Sequence, residues 1–356
     1  MFKENFFNSL KEAAAISGGP GREQNVVRHF VELITPYADN VEVDHMGNIY
    51  AYLEGQKPGP TVMVSTHSDE IGCMVSAIDE KGFLRMERTG GMIESLLVGR
   101  KVSVNGHFGV IGVKAGHLQT AEEQTKVQKI ENLYVDVGVS SREEVLEMGI
   151  NIGDSITYIS DLDRFTNQDL ICGKAIDNRS CCVLLVELFK QLQDKDFSGT
   201  LVGLIAVQEE VGLRGATIAS YKINPDYALV LDTIACADTP DGNYYPIALG
   251  KGPVLPLLSG GGVRGNIMAP QMKELITSFA HKLNIPYQLS VITKGTSDLS
   301  AVHLVKEGIL GGAMTFPRRY SHSPVEMAHL SDFENGFRLL ESLIRNSDSW
   351  GSLDFI

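Results

Sequence analysis

The sequence predicts an α/β fold: a mixed, mostly parallel sheet covered by helices on both faces, with a small β-domain inserted. Three observations predict it. Downstream of about residue 165, apolar runs of strand length alternate with segments of helical spacing. Between about 70 and 163 the pattern changes to short strands punctuated by glycine. The stretch "LVGLIAVQEEVGLRGA", Leu201 to Ala216, runs from unbroken apolar residues into Glu209 and Glu210, as a buried parallel strand does at its end.

The elements follow in order. Apolar residues at helical spacing mark helices over about 3–16 and 22–37. Two strand-like runs come next, "NVEVDHMGNIYAYLEG" and "PTVMVSTHSDE". In the glycine-rich section, "GFLRMERTGG", "GRKVSVNGHFGVIGVKAG", "NLYVDVGV" and "INIGDSITYI" read as strands. "SSREEVLEMG" reads as one short helix with Ser141 as its N-cap. Beyond it, "RSCCVLLVELFKQLQ" is helical, "GTLVGLIAVQ" a strand, "RGATIASYK" a helix and "DYALVLDT" a strand. "PQMKELITSFAHKL" is a helix with Pro270 in its first turn, followed by the strand "YQLSVIT". The helix "DLSAVHLVKEG", the strand "ILGGAMTF" and the closing helix "SDFENGFRLLESLIRN" complete the chain. The division expected is therefore 1–69 with 164–356 as the larger domain, and 70–163 as the insert.

Composition narrows the function. The chain has 356 residues, 43% of them hydrophobic, enough for a sizeable core and two or three domains. A net charge of -13 excludes nucleic acid as a partner, because phosphate binding needs a basic surface. The first segment lacks the apolar core of a signal peptide, and no apolar window of about 18 residues exists, so no membrane is expected. The cysteines are Cys73, Cys172, Cys181, Cys182 and Cys236, an odd number with no CxxC pair. A cytoplasmic chain with reduced thiols is expected, the cysteines serving packing.

Chemistry is concentrated where strands end, the place where open α/β sheets bind ligands. "TVMVSTHSDE" ends in His67 and Asp69, an i, i+2 pair on one face. His67 suits a metal, with Asp69 orienting an imidazole or a base. Asp232 ends "YALVLD", Asp177 precedes a helix in "GKAIDNRSCC", and His322 follows a late strand in "FPRRYSHSPVE". Each alone has a plain structural reading. A carboxylate before a helix can cap it or favour its dipole, and a lone histidine is usually a satisfied surface or core residue. Together they would form a mixed His and carboxylate set that suits two zinc, manganese or cobalt ions, one carboxylate bridging. Such ions would also answer the charge problem at Glu209 and Glu210. Other features carry less. "SGGGVRGN" lacks the spacing and lysine of a phosphate loop and reads as a flexible loop beside the substrate or a tight turn. "GTSD" reads as a helix start capped by Ser297 or Asp298. No GxSxG elbow is present.

The combination "HSDEIG", "GKAIDNR", "QEEVGLRGA", "LDT" followed by "DTPDG", and "RRYSHSPVE" resembles the cytosolic dizinc aminopeptidases of bacterial glutamyl aminopeptidase and the archaeal tetrahedral aminopeptidases, some once labelled endoglucanase. The resemblance covers nearly the whole chain, including the position of the insert, and implies a zinc exopeptidase-like fold. It implies that Asp177 bridges two ions, zinc first, with cobalt or manganese as alternatives. His67 and Asp232 would complete one site, and Glu210 and His322 the other. Glu209 would be the general base, with Asp69 positioning it or its neighbour. The Asp177–Asn178 peptide would be cis. Short peptides would be the substrates, and the insert would build a homo-oligomer, a dimer or a dodecamer. Asn178 replaces a common aspartate, "GTSD" carries an extra serine, and "LSGGGVRGN" departs from the pattern; none is a ligand. Two alternatives remain: a glycoside hydrolase using Glu209 and Glu210, and a catalytically silent oligomeric scaffold. The first leaves the histidines and aspartates without a role.

Overall fold

The computed structural model describes residues 2–240, 242, 246–260, 265–351 and 353. Among them a 12-stranded mixed sheet forms the body of the molecule. Its centre is parallel: Ser198–Ala206, Lys57–His67, Tyr227–Ala235 and Leu310–Arg319 lie side by side. These strands are buried on both faces, which explains their unbroken apolar runs. The flanks are antiparallel, with Asn40–Val43 and Ile49–Glu54 on one side and Glu326–His329, Leu170–Gly173 and Asp163–Arg164 on the other. Val254–Ser259 pairs with Leu310–Arg319, Gln288–Val291 and Asn266–Ile267. The sequence pattern misses it because Pro256 interrupts the run and its register shifts there. Register places the functional ends level: Ala206 faces His67, and Asp232 faces Thr315.

Helix Ile176–Gln191 is buried along nearly its whole length. It lies between the sheet and the helices Phe2–Ala15, Gln24–Ile34 and Leu330–Arg345, so it shows no polar face. The helix expected over 298–308 is a single turn, Leu299–Val302. Positive φ at Lys306 and Gly308 marks a turn that ends it early.

The insert is a closed six-strand antiparallel barrel in the order Gly72–Ile78, Leu84–Thr89, Tyr134–Asp136, His107–Gly112, Lys101–Val104, Ser155–Tyr158. Its first strand escaped the pattern because a bulge between Val75 and Ala77 breaks its alternation. The barrel carries its own core around Leu84, Val102, Leu133 and Ile156. Ser141 caps Arg142–Glu147 in a reciprocal capping box with Glu144.

A buried cation ties the N-terminal helix to the sheet. Arg179 donates to the carbonyls of Ser68 at 2.6 Å, Ala13 at 2.8 Å and Ile16 at 2.9 Å. Its charge faces Glu70, which also binds Lys174 at 2.9 Å. Arg179→Ala strands those carbonyls in a dry site. It is expected to cost about 3–5 kcal/mol, read by urea unfolding of the metal-free protein. A loss below about 1 kcal/mol would mean the clamp is marginal.

Candidate metal centre

Strand ends, one helix start and one loop bring six of the seven candidate residues to one cleft. His67 is the last residue of Lys57–His67, and Asp232 lies in Tyr227–Ala235. Glu209 and Glu210 follow Ser198–Ala206 across a turn with Gln208 in the left-handed region at φ 56°. Asp177 opens the buried helix, and the Asp177–Asn178 peptide is cis. His322 sits in the loop after Leu310–Arg319. All six line one open cavity of about 660 Å³.

Asp177 stands between the two imidazoles. Its Oδ1 lies 3.2 Å from His67 Nε2, and its Oδ2 lies 3.5 Å from His322 Nε2. On the first side, Asp232 Oδ1 is 3.7 Å and Glu209 Oε2 3.9 Å from His67 Nε2. On the second, Glu210 Oε1 is 3.6 Å from His322 Nε2. Two groups form, His67 with Glu209 and Asp232, and Asp177 with Glu210 and His322, each with its ligand atoms within 4.8 Å of one another. Ligands about 2.1 Å from a shared tetrahedral ion stand about 3.4 Å apart, so the spacing fits.

Asp69 does not face the cleft as a ligand. It lies beneath, with Oδ1 accepting from the Glu209 amide at 3.0 Å and Oδ2 from the Glu210 amide at 3.1 Å. Oδ1 is also 3.4 Å from His67 Nδ1. One buried carboxylate thus sets the turn that carries both glutamates and touches the first imidazole.

The electrostatics call for a cation. Burial pushes Glu210 up to about 8, with repulsion from Asp177 adding to it, and burial lifts Glu209 well above the usual carboxylate range. Burial disfavours the His322 cation, yet Asp177 and Glu210 outweigh it and push the imidazole up to about 9. Burial would raise Asp177 too, but Arg318, His322 and His67 hold it well below the usual range. Without an ion, Glu209, Glu210 and His322 are the groups inclined to hold protons, while Asp177 is inclined to stay ionised. Asp177 Oδ1 makes no hydrogen bond of good geometry. A mixed set of imidazole and carboxylate donors with such an oxygen fits one or two divalent ions.

Four participants were not singled out beforehand. Arg318, in the strand before His322, pairs with both Asp177 and Glu326. Glu326 also accepts from the Asp177 and His322 amides, each at 3.0 Å. The signal for Arg318 was present where the apolar run "ILGGAMTFP" meets a charge. Gly91, from the barrel, accepts from His322 Nδ1 at 3.0 Å, and nothing local marks it. Asp298 was expected as a cap, but it makes no capping bond and both its oxygens are buried without partners. Burial pushes it up to about 8. The residues of "SGGGVRGN" over 261–264, and Asp241 of "DTPDG", lie outside the described residues. Asp238 of that second stretch holds Arg319 through two bonds of 2.8 Å.

A family model for M42 glutamyl aminopeptidase matches residues 47–339. The chain belongs to the M42 glutamyl aminopeptidase family. A lysyl aminopeptidase of Pyrococcus furiosus is 32% identical over 343 residues, 94% of this chain and 95% of that protein. Among solved structures, the aminopeptidase APDkam598 from the archaeon Desulfurococcus kamchatkensis has a TM-score of 0.94 at 33% identity, covering 100% of this chain and 99% of that one. The Pyrococcus horikoshii TET1 peptidase, described as assembling into a tetrahedron or a large octahedral shell, has a TM-score of 0.85 at 31% identity, covering 95% and 99%. This M42 chain shares the whole architecture with them, barrel included.

Proposed function

We propose that this M42 chain is a two-metal aminopeptidase that removes N-terminal residues from short peptides. The observation that carries the reading is Asp177, whose two oxygens lie between His67 and His322. In this reading Asp177 bridges, His67 and Asp232 complete one site, and Glu210 and His322 complete the other. Zinc is the first choice, with cobalt or manganese able to occupy the same donors. The ions would supply Lewis acidity, polarising the scissile carbonyl and lowering the pKa of water. Glu209 takes the proton from the attacking water and returns it to the leaving amine. Asp69 holds the Glu209 and Glu210 amides, and with them the angle between base and ligand. The free amine of the substrate would settle beside the ions or a neighbouring carboxylate, which limits cleavage to the chain end. A glycosidase using Glu209 and Glu210 gives His67, Asp177, Asp232 and His322 nothing to do, and a silent scaffold would have no use for them.

We also infer a cytoplasmic homo-oligomer. The five cysteines are unpaired, and among the described residues no helix is long and apolar enough to cross a membrane. The larger domain, 1–69 with 164–356, would carry the chemistry, and 70–163 the assembly. Phe108, Leu118 and Ile152 stand exposed on the insert. Light scattering at micromolar concentration is expected to give a dimer or a dodecamer. A monomer would contradict the assembly and leave the chemistry untouched.

The two glutamates should fail differently. A chelator is expected to abolish wild-type cleavage of aminoacyl-nitroanilides, and added zinc to restore it. Glu209→Gln should keep both ions and lose about 10²–10⁴-fold in kcat. Glu210→Gln should weaken one ion, with activity partly recovered in excess metal. Turnover and metal content of both variants decide it. Full activity of metal-loaded Glu209→Gln would remove the general-base role.

A further inference from the structure

The two halves of the centre are not built alike. His67 takes its Nδ1 contact from its own neighbourhood, the Asp69 carbonyl oxygen at 3.2 Å. His322 takes its contact from the barrel, where the Gly91 carbonyl oxygen lies 3.0 Å from Nδ1. We propose that Gly91 is a positioning residue for the second metal site, so that the barrel completes that site. The proposal rests on the two-metal reading above.

The chemistry is simple. A carbonyl oxygen can only accept, so the Gly91 contact places the His322 proton on Nδ1. The Nε2 lone pair is then free on the side facing Asp177 Oδ2 at 3.5 Å and Glu210 Oε1 at 3.6 Å. The contact requires glycine. A Cβ at position 91 would stand 2.4 Å from His322 Nδ1 and 2.6 Å from Cε1. The preceding residue lies beside the other ligand of the same ion. Gly90 has φ 90°, and a Cβ there would stand 3.2 Å from Glu210 Cβ. Two consecutive barrel residues, just past strand Leu84–Thr89, therefore leave no room for a side chain against either ligand on the Asp177 Oδ2 side. Disturbing this loop should loosen one ion and spare the other.

The test uses the full chain and measures zinc by equilibrium dialysis with elemental analysis. Wild type is expected to hold two ions per subunit. Gly91→Ala should bind one as tightly as wild type and the other about 10–100-fold more weakly. In a His322→Gln background, Gly91→Ala should cause no further loss, because its effect passes through that imidazole. Two unchanged affinities in Gly91→Ala would overturn the proposal, and so would an equal loss with and without His322. A wild type that binds fewer than two ions would instead overturn the two-metal reading. Solid-state ¹⁵N NMR of histidine-labelled, zinc-loaded wild type, with the His322 signal assigned by its absence in His322→Gln, needs no folded glycine variant. It should show the proton on Nδ1; a proton on Nε2 rules out the Gly91 role.

Discussion

Everything at the centre of this molecule depends on negative charge gathered on largely buried side chains at the floor of one cleft. Asp177, Glu209, Glu210, Asp232 and Asp298 converge there with two imidazoles and the Arg318 guanidinium. Burying unpaired carboxylates costs several kcal/mol each, so a stable fold must neutralise them. Burial and neighbouring carboxylates push Glu210 and Asp298 each up to about 8, so protons favour these two sites in the metal-free state. Divalent ions would do it better, and in the proposed reaction they would also supply Lewis acidity.

The sheet makes the convergence geometrically cheap. Parallel strands end at the same edge, so His67, Asp232 and the Glu209 turn arrive together without long loops. Behind them Asp69 spans the Glu209 and Glu210 amides and the His67 ring, converting three flexible placements into one. Arg179 and Glu70 then anchor the segment just past His67 to the N-terminal helix. The second imidazole differs, since its backbone is held by Glu326 of the sheet but its ring contacts a loop of the barrel.

Much of this was readable in the sequence because parallel strands write their ends plainly: an apolar run stops and a polar residue appears. His67, Asp232 and Glu209 with Glu210 were legible in that way, and the position of His322 after a late strand was too. Asp177 was legible only as a carboxylate before a helix. What escaped has a common cause. Val254–Ser259, Glu326–His329 and Leu170–Gly173 are strands of only 6, 4 and 4 residues, too short for a local period to mark them. Asp298 was read as a cap because a cap is the local meaning of aspartate before a helix, whereas its position is set by tertiary burial. Gly91 looked like turn punctuation, and only the approach of a ring from residue 322 gives it meaning.

The central claim is that Asp177 bridges two ions, and anomalous diffraction from zinc-loaded crystals tests it most directly. The account predicts two peaks about 3.5–4 Å apart on either side of the Asp177 carboxylate. One should touch His67 and Asp232, and the other Glu210 and His322. A single peak, or a pair with Asp177 bound to neither, would contradict it.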